Sequence, residues 1–252
     1  MAAALAVALA AALPAPAGAQ ATAGDYALVV YLQQSFPKQT NTNKQIELIN
    51  QTFGVDFDTW DDVANLNLGV KAFKQVAPNW QVGLEWDYSR GSIDGRSVGQ
   101  LQTEYGPIPV DVAFEQKYSI YTDLLAVTHF FPCPDCQKVS PFVLGGIGFA
   151  YEKDRTTLTV QNPDLQMDEW LKVDNDGWFP VYTVGLGINA YLSQAHDWYI
   201  ELGGAWVWSR LKHNVPAEGT EGLLPLVAPQ GTVTADTDSS GPNWWIGVGK
   251  RF

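Results

Sequence analysis

The last nine residues alternate between apolar and small or polar side chains, and the chain ends on an aromatic residue. Trp244, Ile246, Val248 and Phe252 share one face, on which Lys250 is the exception. Successive side chains of a β-strand point to opposite faces, so such a segment can turn one face to lipid and Trp245 to a lumen. The ending therefore predicts a membrane-spanning β-strand.

The beginning of the chain predicts export. Residues 2–13 form an apolar run that is too short to cross a bilayer, and the small residues Ala17, Gly18 and Ala19 follow it. We expect a signal peptide at 1–19 and a mature domain at 20–252. No Lys or Arg precedes the apolar run, so we expect that the recorded start is trimmed or that the true start lies upstream. A buried Ala/Leu helix is the alternative to a signal peptide.

The composition restricts which kinds of partner the chain can bind and which kind of membrane protein it can be. The net charge of -12 gives no basic patch to neutralise phosphates, which argues against nucleic acid. Aromatic residues make up 12% of the chain, and after residue 19 no apolar run reaches the ~18 residues of a transmembrane helix. High aromatic content with an ordinary apolar fraction fits a membrane barrel with interfacial aromatic girdles.

Alternation elsewhere predicts eight strands in an all-β, antiparallel, up-and-down transmembrane barrel. The connections between them alternate between short and long, which is typical of a barrel with short periplasmic turns and long extracellular loops. A soluble lipocalin-type barrel also has eight strands, but it would turn its apolar faces inward. The predicted strands are Asp25–Gln34, Val63–Phe73, Trp80–Ser89, Phe114–Phe131, Phe142–Tyr151, Val181–Leu192, Trp198–Ser209 and Asn243–Phe252, and the long connections are Ser35–Asp62, Arg90–Val112, Glu152–Trp178 and Arg210–Pro242.

Charged residues on the face opposite the apolar one predict a polar lumen. An eight-stranded barrel has an interior that side chains just fill. Ion pairing there is expected to close the lumen, unless small residues leave a narrow path for ions. On the fourth strand we place Tyr118, Ile120 and Leu124 on the lipid face. The predicted lumen network consists of Lys71, Glu85, Asp87, Asp123 and Glu201.

Taken together, the signal segment, the eight alternating strands and the terminal Phe252 resemble the small eight-stranded outer-membrane β-barrel superfamily, with its OmpX-like, OmpW-like and OmpA transmembrane-domain-like members. The Gly-rich strand Pro141–Tyr151 is similar to the central strand of that superfamily. The resemblance implies insertion by the barrel-assembly machinery through the terminal strand, contact with outer-membrane lipid and lipopolysaccharide, a monomer, and no cofactor.

Two cysteines, Cys133 and Cys136, lie in a short connection. In an oxidising periplasm this spacing favours a small disulfide across a turn. Free thiols, metal capture and a redox site are the alternatives, although redox sites of this type open a helix and the flanks here predict strands.

The sequence predicts no catalytic residues and no metal-binding residues. Ser209 and His213 are the one pair near the long-loop rim that could form a hydrolase, but their spacing does not enforce a hydrogen bond. The acidic loops could share Ca²⁺ or Mg²⁺ with surface lipid, and solvated loops are the simpler interpretation. The expected function is a non-enzymatic, surface-displaying protein of the Gram-negative outer membrane. An OmpW-like, porin-like channel for small solutes is the alternative, and a lipid-A-modifying enzyme is third.

Overall fold

The computed structural model describes residues 25–35, 40–60, 65–131, 138–192, 196–223, 225 and 230–252. The predicted signal peptide and both cysteines, Cys133 and Cys136, lie outside the described residues, so the predicted disulfide stays a prediction.

Eight antiparallel strands close into a ring, which confirms the predicted fold class. Each strand in the ring pairs with its neighbours along the chain, and β9 pairs with both β7 and β1. A ninth strand, β8, pairs with β7 alone. The elements are β1 (Tyr26–Ser35), α1 (Thr40–Phe53), β2 (Asn65–Ala77), β3 (Trp80–Thr103), β4 (Gly106–Phe130), β5 (Val139–Asn162), a 3-10 turn (Pro163–Leu165), β6 (Met167–Tyr191), β7 (Trp198–Gly219), β8 (Thr232–Asp238) and β9 (Gly241–Arg251).

The pairing of the first and last strands removes the free edges of the sheet. Val30 lies opposite Val248 and Leu32 lies opposite Ile246, so the apolar faces of β1 and β9 form one continuous surface. Closure matters because unpaired backbone groups at an open edge would be costly in lipid. Separately, none of the described helices has the length and apolar character needed to cross a bilayer.

Three of the predicted long loops prove to be largely strand. β3 and β4 continue as a hairpin to Thr103 and Gly106, and β5 and β6 continue to Asn162 and Met167. The predictions of loops at Arg90–Val112 and Glu152–Trp178 were therefore wrong, and β8 lies within the predicted loop Arg210–Pro242. The alternation persists there because inward side chains such as Val112 and Val160 are buried.

The face assignment on β4 was also wrong. Tyr118, Ile120 and Leu124 point into the barrel and are nearly inaccessible, whereas Tyr121 and Leu125 are exposed on the outer wall. The lumen wall of β4–β6 therefore carries much of the apolar core, although polar side chains such as Glu152 are also buried on it. Alternation alone cannot tell an apolar lumen wall from a lipid-facing wall, because both have a period of two residues.

The long connection after β1 supplies the apolar material that this wall packs against. Ile46 of α1 is fully buried, and Phe53, Phe57 and Trp60 belong to the same core cluster as Phe114 and Leu158. Their burial shows that α1 and the segment after it pack against residues of the inner barrel wall.

Candidate functional site

The strands bring a buried charged cluster together across the lumen. Lys71 Nζ lies 3.0 Å from Glu201 Oε1 and 3.6 Å from Glu85 Oε1. Lys71 is 1% exposed, and Glu85 and Glu201 are also buried. Lys71 and Glu85 are cross-strand partners on β2 and β3, while Glu201 reaches in from β7 on the opposite wall. The pairs thus tie opposite walls of the barrel together and close its lumen.

Two aromatic side chains complete this cluster. The Tyr31 hydroxyl donates to Glu85 Oε1 at 2.9 Å, and the Trp245 indole N–H donates to Glu201 Oε1 at 2.8 Å. Lys71 Nζ lies 4.0 Å from the Trp245 ring centroid, within cation–π range. Room for Tyr31 comes from Gly69, where an ideal Cβ would lie 2.1 Å from the tyrosine ring. Alternation in the last strand predicted that Trp245 faces the lumen. The role of Tyr31 was not predicted, because its contact with Gly69 is visible only once the strand register is known.

The structure brings Asp87 to this part of the lumen and leaves Asp123 outside. Asp87 is buried on the same face of β3 as Glu85. Asp123 is exposed on the outer wall, between its cross-strand partners Trp86 and Phe149. The assignment of Asp123 to the lumen network was wrong because it depended on the inverted face of β4.

A second closure lies above the charged cluster and is apolar. Residues 53–60 run along the inner face of β3, where three glycines spaced four residues apart have no side chains to block this close approach. An ideal Cβ at Gly91 would lie 2.9 Å from the Trp60 ring, one at Gly95 would lie 2.4 Å from Phe57, and one at Gly99 would lie 2.4 Å from the Phe53 carbonyl oxygen. We call α1 and residues 54–60 the plug. A side chain at Gly91, Gly95 or Gly99 would collide with a neighbouring residue at the inner face of β3.

Hydrogen bonds fix the plug in place. Within it, Asn50 bonds both the backbone N–H and the carbonyl of Phe57, at 2.9 and 3.0 Å. The Trp60 indole N–H donates to Gln116 Oε1 on β4 at 2.7 Å, and Gln116 donates onward to Asp154 Oδ2 on β5 at 2.9 Å. Buried side-chain bonds of this kind are costly to break, because the separated groups would lack partners.

Asp154 lies three residues beyond Tyr151, towards the long connections and outside the membrane-spanning part of β5. Burial raises the pKa of its carboxyl to about 6, and the hydrogen bond from Gln116 opposes that rise only in part. On the outer wall nearby, hydrogen bonds from Lys172 and Arg155 lower the pKa of the exposed Asp174. Near this end of the barrel, an ionised carboxylate is therefore less stable on the inner face, at Asp154, than on the outer face, at Asp174.

The hydrolase alternative finds no support in the geometry. Ser209 is buried and His213 is half-buried, both on the inner face of β7, but Ser209 Oγ and His213 Nδ1 have no hydrogen-bond partner. The pair therefore lacks the contact that a serine nucleophile and its base require. His129 lies elsewhere, on the outer wall against Trp80 with ring centroids 4.4 Å apart. Within the described ranges, no three His, Cys, Asp or Glu side chains lie close enough to form a metal-binding group.

The outer wall is apolar and carries aromatic residues towards both rims. Leu66, Leu84 and Leu186 are each about two-thirds exposed. Towards the long connections, Tyr88, Tyr121, Tyr151 and Trp178 form one cross-strand row. At the other rim stand Tyr26, Trp80, Trp198 and Phe252. The terminal-strand residues Trp244, Ile246, Val248 and Phe252 are all exposed on this wall, at 51–67%.

No family model and no curated protein matches the chain. Among solved structures, it is similar to the attachment invasion locus protein Ail of Yersinia pestis in complex with the heparin analogue sucrose octasulfate, at 11% identity and a TM-score of 0.38, covering 92% of this chain and 100% of that one. A major outer membrane protein of Thermus thermophilus matches at 10% identity and a TM-score of 0.43, covering 90% and 99%. The outer membrane protease OmpT of Escherichia coli matches at 11% and 0.41, covering 94% and 99%.

The architecture is given by the chain's own strand pairing. The closed ring of eight antiparallel strands, the apolar outer wall with its aromatic rims and the hairpins that extend beyond one rim form a small β-barrel of the outer-membrane type. A wall of this kind places the barrel in a membrane, and bacterial barrels of this type lie in the outer membrane.

Proposed function

We propose that the protein is a non-conducting, non-enzymatic barrel that stabilises the outer membrane and displays acidic segments beyond it. The observation that supports this most is the double closure of the lumen, by the Lys71–Glu85–Glu201 cluster and by the plug. A solute path would have to break buried ion pairs and displace an apolar core. The acidic display is supported by exposed Asp164 and Asp168 at the tip of the β5–β6 hairpin.

Lipid and lipopolysaccharide are the proposed partners of the outer wall. Above the tyrosine row, the outer faces of β3–β5 carry the exposed cations Arg90, Lys117, Lys153 and Arg155, in a chain whose net charge is -12. Lys117 lies directly opposite Arg155 across the β4–β5 pair. Cations beside an aromatic rim suit the phosphates of a membrane glycolipid. We further propose that the barrel is a monomer and that the apolar face of β9 is read by the barrel-assembly machinery during insertion.

Planar-bilayer conductance tests the non-conducting proposal. Mature protein refolded into lipid is expected to give no discrete current steps, because both closures must open before ions can pass. Faster gel migration of an unboiled than of a boiled sample shows that the barrel is folded. Discrete steps whose size changes on Glu85→Gln or Glu201→Gln would contradict the proposal and favour the narrow channel.

A further inference from the structure

The plug is linked to Asp154 of the barrel wall through Gln116. The Trp60 indole N–H donates to Gln116 Oε1 at 2.7 Å, and the amide nitrogen of Gln116 donates to Asp154 Oδ2 at 2.9 Å. An indole N–H can only donate, so the amide oxygen of Gln116 must face Trp60 and its nitrogen must face the carboxyl group. Trp60 and Gln116 are 1% and 3% exposed. A movement of the plug therefore changes the surroundings of Asp154.

Trp60 also covers a second neighbour of Asp154. Its ring packs edge-on against Tyr118, with ring centroids 4.9 Å apart. Tyr118 is buried and lies directly opposite Asp154 across the β4–β5 pair. On the β4 side, the carboxyl group is thus bordered by Gln116 and Tyr118, and Trp60 contacts both. Withdrawal of Trp60 would admit water to Asp154.

In the closed arrangement, the described residues give an ionised Asp154 no cation as a partner. Its Oδ1 atom is buried and has no hydrogen-bond partner, and its Oδ2 atom accepts from Gln116. No salt bridge in the described part of the chain includes Asp154. The side chains of Lys153 and Arg155, its neighbours in sequence, are exposed on the outer wall. A neutral carboxyl group therefore fits this position better than a carboxylate.

The ionisable groups around Asp154 include two further carboxyl groups. Glu152 is buried on the same face of β5, and Asp174, on the adjacent strand β6, raises the pKa of Asp154 through its negative charge. An imidazole is also present, that of His213 on β7, which lies across Gly177 from Glu152. Other titratable groups at this level are Tyr118 of β4 and the exposed Asp58 of the plug. A test of Asp154 must therefore separate its titration from theirs.

We propose that Asp154 is a proton-operated latch on the plug, which stays closed while the carboxyl group is neutral and loosens when the group loses its proton. The latch would regulate the upper of the two closures and leave the charged cluster unchanged. It rests on the plug that also supports the proposed function, but not on the absence of conduction.

The direction of the effect follows from the burial of the carboxyl group. Burial raises the pKa of Asp154 from its ordinary value of 3.8 to about 6, and contact with water would return it towards 3.8. Between these two values, opening of the plug releases a proton, so the open population rises with pH. Above about pH 6 the group is ionised whether the plug is closed or open, and the rise ends. The expected increase is about tenfold between pH 5 and pH 7.5.

Limited proteolysis within residues 40–60 of the barrel refolded in lipid tests the latch. Cleavage is measured at pH 5, 6 and 7.5 for the wild type, Asp154→Asn and Asp94→Asn. Each rate is divided by that of Asp154→Asn at the same pH, which removes the pH dependence of the protease. For the wild type this ratio is expected to rise about tenfold from pH 5 to pH 7.5, because cleavage follows the open population. Asp94→Asn, which removes an exposed aspartate from the outer face of β3, is expected to follow the wild type.

Asp154→Asn keeps His213 and Glu152, so a pH dependence caused by either would cancel in the ratio. If Asp154→Asn does not fold, Asp154→Ser provides the neutral reference. A ratio that stays constant or falls with pH, or a wild-type plug that is not cleaved at pH 7.5, would overturn the latch and leave the non-conducting proposal standing. Discrete current steps at pH 5, where the latch holds the plug closed, would instead contradict the proposed function.

Discussion

Lys71→Met is expected to lower the free energy of unfolding by about 3–5 kcal/mol, because it leaves buried carboxylates without their cation. Glu201 would keep only the indole N–H of Trp245, and Glu85 only the Tyr31 hydroxyl. Urea unfolding in detergent micelles or lipid, followed by gel migration, measures the loss. No other single substitution in the lumen is expected to cost more.

Two variants separate charge from packing. Lys74→Met lies on the same strand with its side chain on the outer wall, 5.5 Å from the Tyr26 ring centroid, and is expected to change stability by less than about 1 kcal/mol. The triple variant Lys71→Met, Glu85→Gln, Glu201→Gln is expected to recover most of the loss, since neutral groups of similar volume often replace a buried ion cluster. A Lys71→Met barrel as stable as wild type would show that the cluster is not formed.

Gly95→Leu is expected to displace the plug. A Cβ at this position would lie 2.4 Å from the Phe57 ring, and the rest of the leucine side chain needs the same space. Overpacking of this kind costs about 2 kcal/mol. If the plug rather than the barrel yields, that energy raises the open population about 30-fold, since 1.4 kcal/mol is tenfold. Limited proteolysis within residues 40–60 is expected to accelerate by a similar factor.

Gly145→Leu is the matched control for this substitution. Gly145 is also a strand glycine, but an ideal Cβ there finds only one atom, the Thr183 carbonyl oxygen, at 4.0 Å. A leucine is therefore expected to leave cleavage of the plug unchanged. Equal cleavage rates in Gly95→Leu and wild type would mean that residues 54–60 do not lie against β3.

Periodicity predicted the ring of eight strands and much of the charged cluster. Lys71, Glu85 and Glu201 interrupt otherwise apolar or small alternation, and charges on a membrane strand are stable mainly when they face inward. The strand ends and the extra strand β8 were missed, because polar surface residues such as Asp174 and Asp176 conceal an alternation that is maintained only by the buried face.

The apolar part of the lumen wall could not be predicted in this way. Ile120 and Leu124 have the spacing of lipid-facing residues, but they belong to one buried cluster with residues of the plug, which lies far away in sequence. Because the inner and outer faces of β4 were exchanged in the prediction, Asp123 was wrongly assigned to the lumen. A Gly at every fourth position, Gly91, Gly95 and Gly99, was the available signal for a segment packed against β3, since small residues permit close approach.

The central claim is that the even-numbered side chains of β4, such as Leu124, face the lumen and the odd-numbered ones face lipid. Site-directed spin labelling measures this directly. In a background with Cys133→Ser and Cys136→Ser, one nitroxide is placed at Leu125, which is 49% exposed, and another at Leu124, which is 5% exposed. In lipid, the label at 125 is expected to be accessible to oxygen and shielded from a water-soluble nickel complex, and the label at 124 shielded from both. If instead the label at 124 is accessible to lipid-dissolved oxygen and the label at 125 is shielded, the inner and outer faces of β4 are the reverse of those described, which would contradict the packing of the plug against the inner wall.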